Sequence, residues 1–139
     1  FDPKIKNFNL IDKKKTDVIF NALHGRDGED GIAQSYFEYL RIPYTHSGVI
    51  SSFNAMNKIL SKKIFIKNKI LTPKFIKYDF NNKNIISLVQ KKLGFPVVIK
   101  PLNEGSSVNV YICTKKNLIK NLKKFSTTSK EDLKMQHLT

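Results

Sequence analysis

A chain of 139 residues that is 40% hydrophobic, with ten Phe, is long enough to close one domain or two small ones over an apolar core, which excludes a disordered chain. No apolar run approaches the ~20 residues that span a bilayer, and FDPKIKNFNLIDKKK has no uninterrupted apolar core after its charges, so neither a membrane span nor a secretory signal is expected. The formal net charge of +14 raises nucleic acid as a partner, but nearly all the basic residues are Lys, with Arg26 and Arg41 the exceptions. They are spread through the chain with Asn and Ile, as A/T-rich codons favour, and no zinc spacing, aromatic RNA-binding pattern or basic heptad accompanies them. They read as a solvated surface, and no nucleic-acid partner is expected. The single cysteine, Cys113, fits a reducing cytoplasm and, on a predicted strand, a small buried hydrophobe. Phe1 without a preceding Met reads as the start of a fragment.

In chain order, the apolar run DVIFNAL (17–23), closed by His24 and Gly25, predicts a buried strand. After the loop HGRDGEDG, Ile32, Tyr36, Tyr39 and Leu40 fall on one face of a helix, and RIPYTH returns as a second short strand. Strand, helix and strand in alternation favour a parallel α/β layer. Ser51 or Ser52 is placed to cap the next helix, in which Met56, Ile59, Leu60, Ile64 and Phe65 are apolar, with Lys58, Lys62 and Lys63 between them. Pro73 breaks that helix before the strand LTPKFIKYDF. An amphipathic helix from Asn84 to Leu93 stops at Gly94, which accepts a left-handed conformation. Pro96–Lys100 and Val108–Cys113 are predicted strands, and Lys115–Phe125 a helix with Leu118, Ile119 and Leu122 inward. STTSKEDLKMQHLT has weak periodicity and is assigned no element.

The loop in VVIKPLNEGSSVNV carries the first chemical candidate. A Gly-Ser-Ser backbone approaches an anion closely, and a lysine at the end of the preceding strand adds a point charge. The loop lacks the G-x-x-x-x-G-K-[ST] pattern and no helix follows it directly, so a polar hairpin and a phosphate loop both stay open on spacing alone.

Three blocks in order, NALHGRDGEDGIAQ, PYTHSGVISSFNAMNK and GFPVVIKPLNEGSSV, resemble those of the D-alanine–D-alanine ligases, peptidoglycan-precursor enzymes of the ATP-grasp superfamily. The resemblance covers roughly residues 17 to 122. It implies an α/β fold: an N-terminal parallel α/β unit of pre-ATP-grasp type over 1–57, then the first part of an α+β ATP-grasp central domain over 58–125, with 126–139 unassigned. By position, Lys58 and Lys100 match the two lysines that reach nucleotide phosphates. Glu104, Gly105, Ser106, Ser107 and Val108 match the loop that closes over them, Ser106 also serving the substrate side. His24 and Glu29 match the block near the second D-alanine, with His24 stabilising the reacting centre. For Glu29, and more so for Asp27 and Asp30, the plain alternative is that the carboxylates start the helix.

The implied function is ATP-dependent joining of two D-alanines through an acyl phosphate, with ATP and D-alanine as partners, in the cytoplasm, and with a homodimer of the complete enzyme as one option. Magnesium is implied as well, its ligands expected outside this chain, since Glu131 and Asp132 are adjacent and make a poor bridging pair. The chain departs from the family in having Asn57 for Asp and Asn109 for Gly. It also lacks the family's glycine-rich first strand-loop and the second half of the grasp. It is therefore expected to be an incomplete ligase, with weak ATP binding by itself. Another ATP-grasp carboxylate–amine ligase, or an inactive basic binding module, are the alternatives, and D-lactate or D-serine as second substrate stays open.

Overall fold

The computed structural model describes residues 7–78, 82–105, 108–128 and 133–137, and the chain divides into two units, 1–56 and 57–139. Among the described residues no helix is long and apolar enough to cross a membrane.

In the first unit, two short 3-10 turns (Phe8–Leu10 and Lys13–Lys15) precede helix α1 (Ile32–Leu40) and helix α2 (Val49–Met56). The 17–23 run is extended but is not the buried strand expected. It makes one parallel bridge, Ile19 to Tyr44, through Ile19 N–H to the Pro43 carbonyl and Thr45 N–H to the Ile19 carbonyl. Val18 and Phe20 are 62% and 76% exposed, because an apolar run records a preference for burial and not what is there to cover it. The parallel sense does agree with the predicted α/β layer. α1 forms where its periodicity predicts, but buries Ala33, Gln34 and Phe37, while Ile32 and Tyr39 face solvent. Phe37 packs on the Tyr44 and Phe8 rings, which selects that face over the predicted one. Neither Ser51 nor Ser52 caps a helix: α2 starts two residues before Ser51, and Ser52 is buried with its hydroxyl donating to the Ser47 carbonyl.

The second unit holds helix α3 (Lys58–Lys67), strand β1 (Phe75–Tyr78), helix α4 (Ile85–Lys92), strands β2 (Val97–Pro101) and β3 (Tyr111–Cys113), helix α5 (Leu118–Thr128) and strand β4 (Leu133–His137). The single helix expected across Asn57 is thus two, because the Asn57 backbone turns extended (φ -81, ψ 104) while its side chain caps α3, accepting from Ile59 N–H and Leu60 N–H. α4 ends at Lys92 with Leu93 as its cap, and Gly94 takes φ +79 and donates its N–H to the Val89 carbonyl, the left-handed stop that a glycine permits.

The strands form one antiparallel sheet in the order β1-β4-β2-β3. β4 comes from the stretch to which the sequence pattern assigned no element, and it lies between β1 and β2. One sheet face carries Ile76, Tyr78, Val97, Ile99, Cys113 and Met135 against α4 and α5, closing a core with Val89, Leu118, Leu122 and Phe125. Ile119, expected inward, is 42% exposed. Cys113 is buried as expected, and burial pushes its thiol pKa up. The other face carries Phe75, Lys77, Val98, Lys100 and Ile112, because side chains alternate along each strand.

Candidate functional site

The candidate residues fall into two groups, one in each unit. In the second unit, Lys100 is the penultimate residue of β2, half-buried on the face away from the core. Lys58 opens α3. Its backbone N–H donates to the Leu102 carbonyl (3.1 Å), and its ammonium donates to the carbonyls of Leu102 (3.3 Å) and Glu104. A helix N-terminus and a strand end therefore bring two lysines to the root of one loop. Across the loop, Val108 N–H donates to the Gly105 carbonyl (3.1 Å), and Asn109 Nδ2 donates to Glu104 Oε2 (3.2 Å). Ser106 and Ser107, expected to face phosphate, lie outside the described residues. Asn109, standing where the family has Gly, takes φ +54, a left-handed angle that Asn accepts at low cost.

Lys62 was legible in the sequence only as one lysine among surface lysines, and it belongs to this group. It is buried, donating to Thr72 Oγ1 and to the Pro73 carbonyl, and it sits over the Phe75 ring. Burial, and then repulsion by Lys100, lowers its pKa. The missed signal was its position one helical turn after Lys58.

In the first unit, HGRDGEDG is a compact turn. Glu29 Oε2 accepts from Gly25 N–H, and Asp30 accepts from Asp27 N–H (3.0 Å) and from Ile32 N–H (3.2 Å) at the start of α1. Asp30 thus performs the helix-starting work that its position alone suggests. His24 Nδ1 lies 3.9 Å from Glu29 Oε1, and the imidazole is well exposed, so the pair is loose. Two buried amides that no motif singles out hold the turn: Asn21 Nδ2 (3.1 Å) and Gln34 Nε2 (2.8 Å) both donate to the Gly28 carbonyl. Gly28 is required there, since a Cβ would stand 2.4 Å from Leu23 Cβ. A groove of about 1060 Å³ runs past this turn, bordered by Phe20, Leu23, His24, Asp27 and Gly28.

ATP suits the Lys58 and Lys100 group, where cations and a glycine loop meet. Magnesium is not served by what is present: among the described residues no three His, Cys, Asp or Glu side chains gather as a metal site.

A family model described as D-ala D-ala ligase N-terminus matches residues 2–47, and one described as D-ala D-ala ligase C-terminus matches residues 64–134. The D-alanine–D-alanine ligase of Pelagibacter ubique is 67% identical over 111 residues, which make up 78% of this chain and 36% of that protein. That of Polynucleobacter asymbioticus is 43% identical over 110 residues, 79% of this chain and 32% of that protein. The crystal structure of the Bacillus anthracis ligase aligns at a TM-score of 0.78 with 34% identity, over 96% of this chain and 43% of its own. That of the Helicobacter pylori ligase aligns at 0.76 with 30% identity, over 88% and 37%. The chain spans about a third of the length of the curated relatives it matches. With one family model covering residues 64–134 and the other 2–47, the chain belongs to the D-alanine–D-alanine ligase family.

Proposed function

We propose that this chain supplies the phosphate-binding groups and the His24–Glu29 turn of an ATP-dependent ligase that joins two D-alanines. The observation that carries this reading is the meeting of Lys58 and Lys100 at the root of the 102–108 loop, with the Lys58 ammonium bonded to the carbonyls of Leu102 and Glu104. In the reaction, the carboxylate of the first D-alanine attacks the γ-phosphorus of ATP, giving an acyl phosphate and ADP. The amine of the second D-alanine then attacks the acyl carbon, the dipeptide bond forms, and phosphate leaves. Negative charge is greatest on the phosphoryl oxygens in the first step, and positioned cations and backbone N–H groups are what lower its barrier.

Lys58 and Lys100 bind and orient the phosphates. Because Lys58 also holds the Leu102 and Glu104 carbonyls, phosphate binding and the position of the loop around Glu104 are coupled. His24 donates a hydrogen bond near the reacting carbonyl, and Glu29 keeps the turn that presents it. Magnesium, when bound with ATP, would shield the phosphate charges, with ligands from outside the described residues.

Calorimetric titration of ATP into the chain tests the reading. Binding is expected in roughly the millimolar range, with Lys58→Ala and Lys100→Ala each weakening it roughly tenfold and Lys120→Ala, at an exposed position of α5, leaving it nearly unchanged. Equal losses at all three lysines would reduce the site to general polyanion attraction.

A further inference from the structure

Among the described residues, Lys62 is the one charged side chain that the fold buries, with 6% of its surface exposed. No carboxylate among the described residues lies within ion-pair distance of it. Its ammonium is held instead by Thr72 Oγ1, by the Pro73 carbonyl at 3.0 Å, and by the Phe75 ring, whose centre is 5.8 Å away. Phe75 alternates with core-facing Ile76, and Lys100 with core-facing Ile99, so Phe75 and Lys100 share the sheet face opposite the core. Lys62 therefore lies over the same face as Lys100, and it follows Lys58 by one turn of α3. Burying an ammonium without a counter-ion is unfavourable, and a mere tether between α3 and β1 is served equally well by a neutral donor.

We propose that Lys62 is a positioning residue standing behind the phosphate site, fastening the start of β1 to α3 and adding a buried positive charge that is balanced only when a polyphosphate occupies Lys58 and Lys100. The ammonium touches protein and not ligand. It acts through the field it adds at Lys100, where low local polarity lets a charge reach further than at the surface. This inference rests on the phosphate-site reading above.

Inorganic tripolyphosphate titrated into the 139-residue chain at moderate salt is the probe. Lys62→Gln, which keeps a donor and removes the charge, is expected to weaken binding roughly tenfold, and Lys62→Arg to stay close to the parent. Lys63→Gln, exposed on the same helix, is expected to have little effect. Thr72→Val is expected to lower the melting temperature while sparing affinity. Equal losses for Lys62→Gln and Lys63→Gln, or a lower melting temperature for Lys62→Gln with unchanged affinity, would overturn the proposal. If Lys62→Gln does not fold, the Lys62 ammonium signal in NMR of the unmodified chain decides. It should shift with tripolyphosphate on the isotherm of Lys100, and a stationary signal refutes the role. Lys58→Ala and Lys100→Ala separate the two readings: if they leave binding intact the phosphate site itself fails, and if only Lys62→Gln does, Lys62 alone loses its role.

Discussion

At the residue scale, the two departures from the family pattern have local explanations. Asn57 Oδ1 accepts from Ile59 N–H and Leu60 N–H, which is the capping work an aspartate performs, without its charge. Asn57→Ala is expected to lower stability by about 1 kcal/mol in urea denaturation, while Asn57→Asp keeps the cap. Asn109 holds φ +54 and ties back to Glu104. Asn109→Ala is expected to cost about 1 kcal/mol, and Asn109→Gly to spare the backbone while speeding amide exchange in the loop. Tyr44 carries a pH dependence. Burial, followed by its hydrogen bond to Glu38 Oε1, raises the phenol pKa from 10.0 to about 12. The fold thus prefers the neutral phenol. Its contribution is full below about pH 10, declines as the unfolded phenol ionises, and is lost by about 12. Tyr44→Phe should flatten the stability profile over that window, and the late-titrating phenolate absorbance of Tyr44 should be lost from that variant.

At the element scale, helical periodicity located α1 and α5 but misjudged part of each buried face. Ile32 and Ile119 satisfy the spacing and still face solvent, whereas Gln34, a polar residue, is buried because its amide finds the Gly28 carbonyl. A period states which residues can share a face; the partner decides which face is covered. β2 is the opposite case: Val97, Val98 and Ile99 are all buried, as an uninterrupted apolar run on an interior strand requires. Ile99→Ala is expected to cost about 2–5 kcal/mol in thermal or urea unfolding, from lost apolar contact plus a residual cavity. Ile119→Ala should stay within about 0.5 kcal/mol.

At the scale of the whole molecule, the second unit depends on its last strand. β4 pairs with β1 on one side and β2 on the other, and it contributes Met135 to the core. A chain ended at Thr128 is expected to lose cooperative unfolding of this unit, seen as a flattened thermal transition and collapsed amide dispersion in NMR. Ending it there removes the partner of β1 and leaves β2 with β3 alone among the described strands. Strand pairing across so long a separation is invisible to any local pattern, which is why the stretch after Phe125 read as formless.

What the residues determined unaided was the α/β character, the helix and strand positions around Pro73 and Gly94, and the family, through three motif blocks in order. These depend on local backbone preference and on short spacings, both of which a chain carries along its length. Tertiary structure decided the place of β4, the exposure of Val18 and Phe20, the clamp of Asn21 and Gln34 on the Gly28 carbonyl, and the burial of Lys62. Each of these turns on which groups the fold brings together, and no helical or strand period along the chain specifies that. A lysine among lysines acquires a distinct role only when Thr72, Pro73 and Phe75 close around it over the sheet face that holds Lys100.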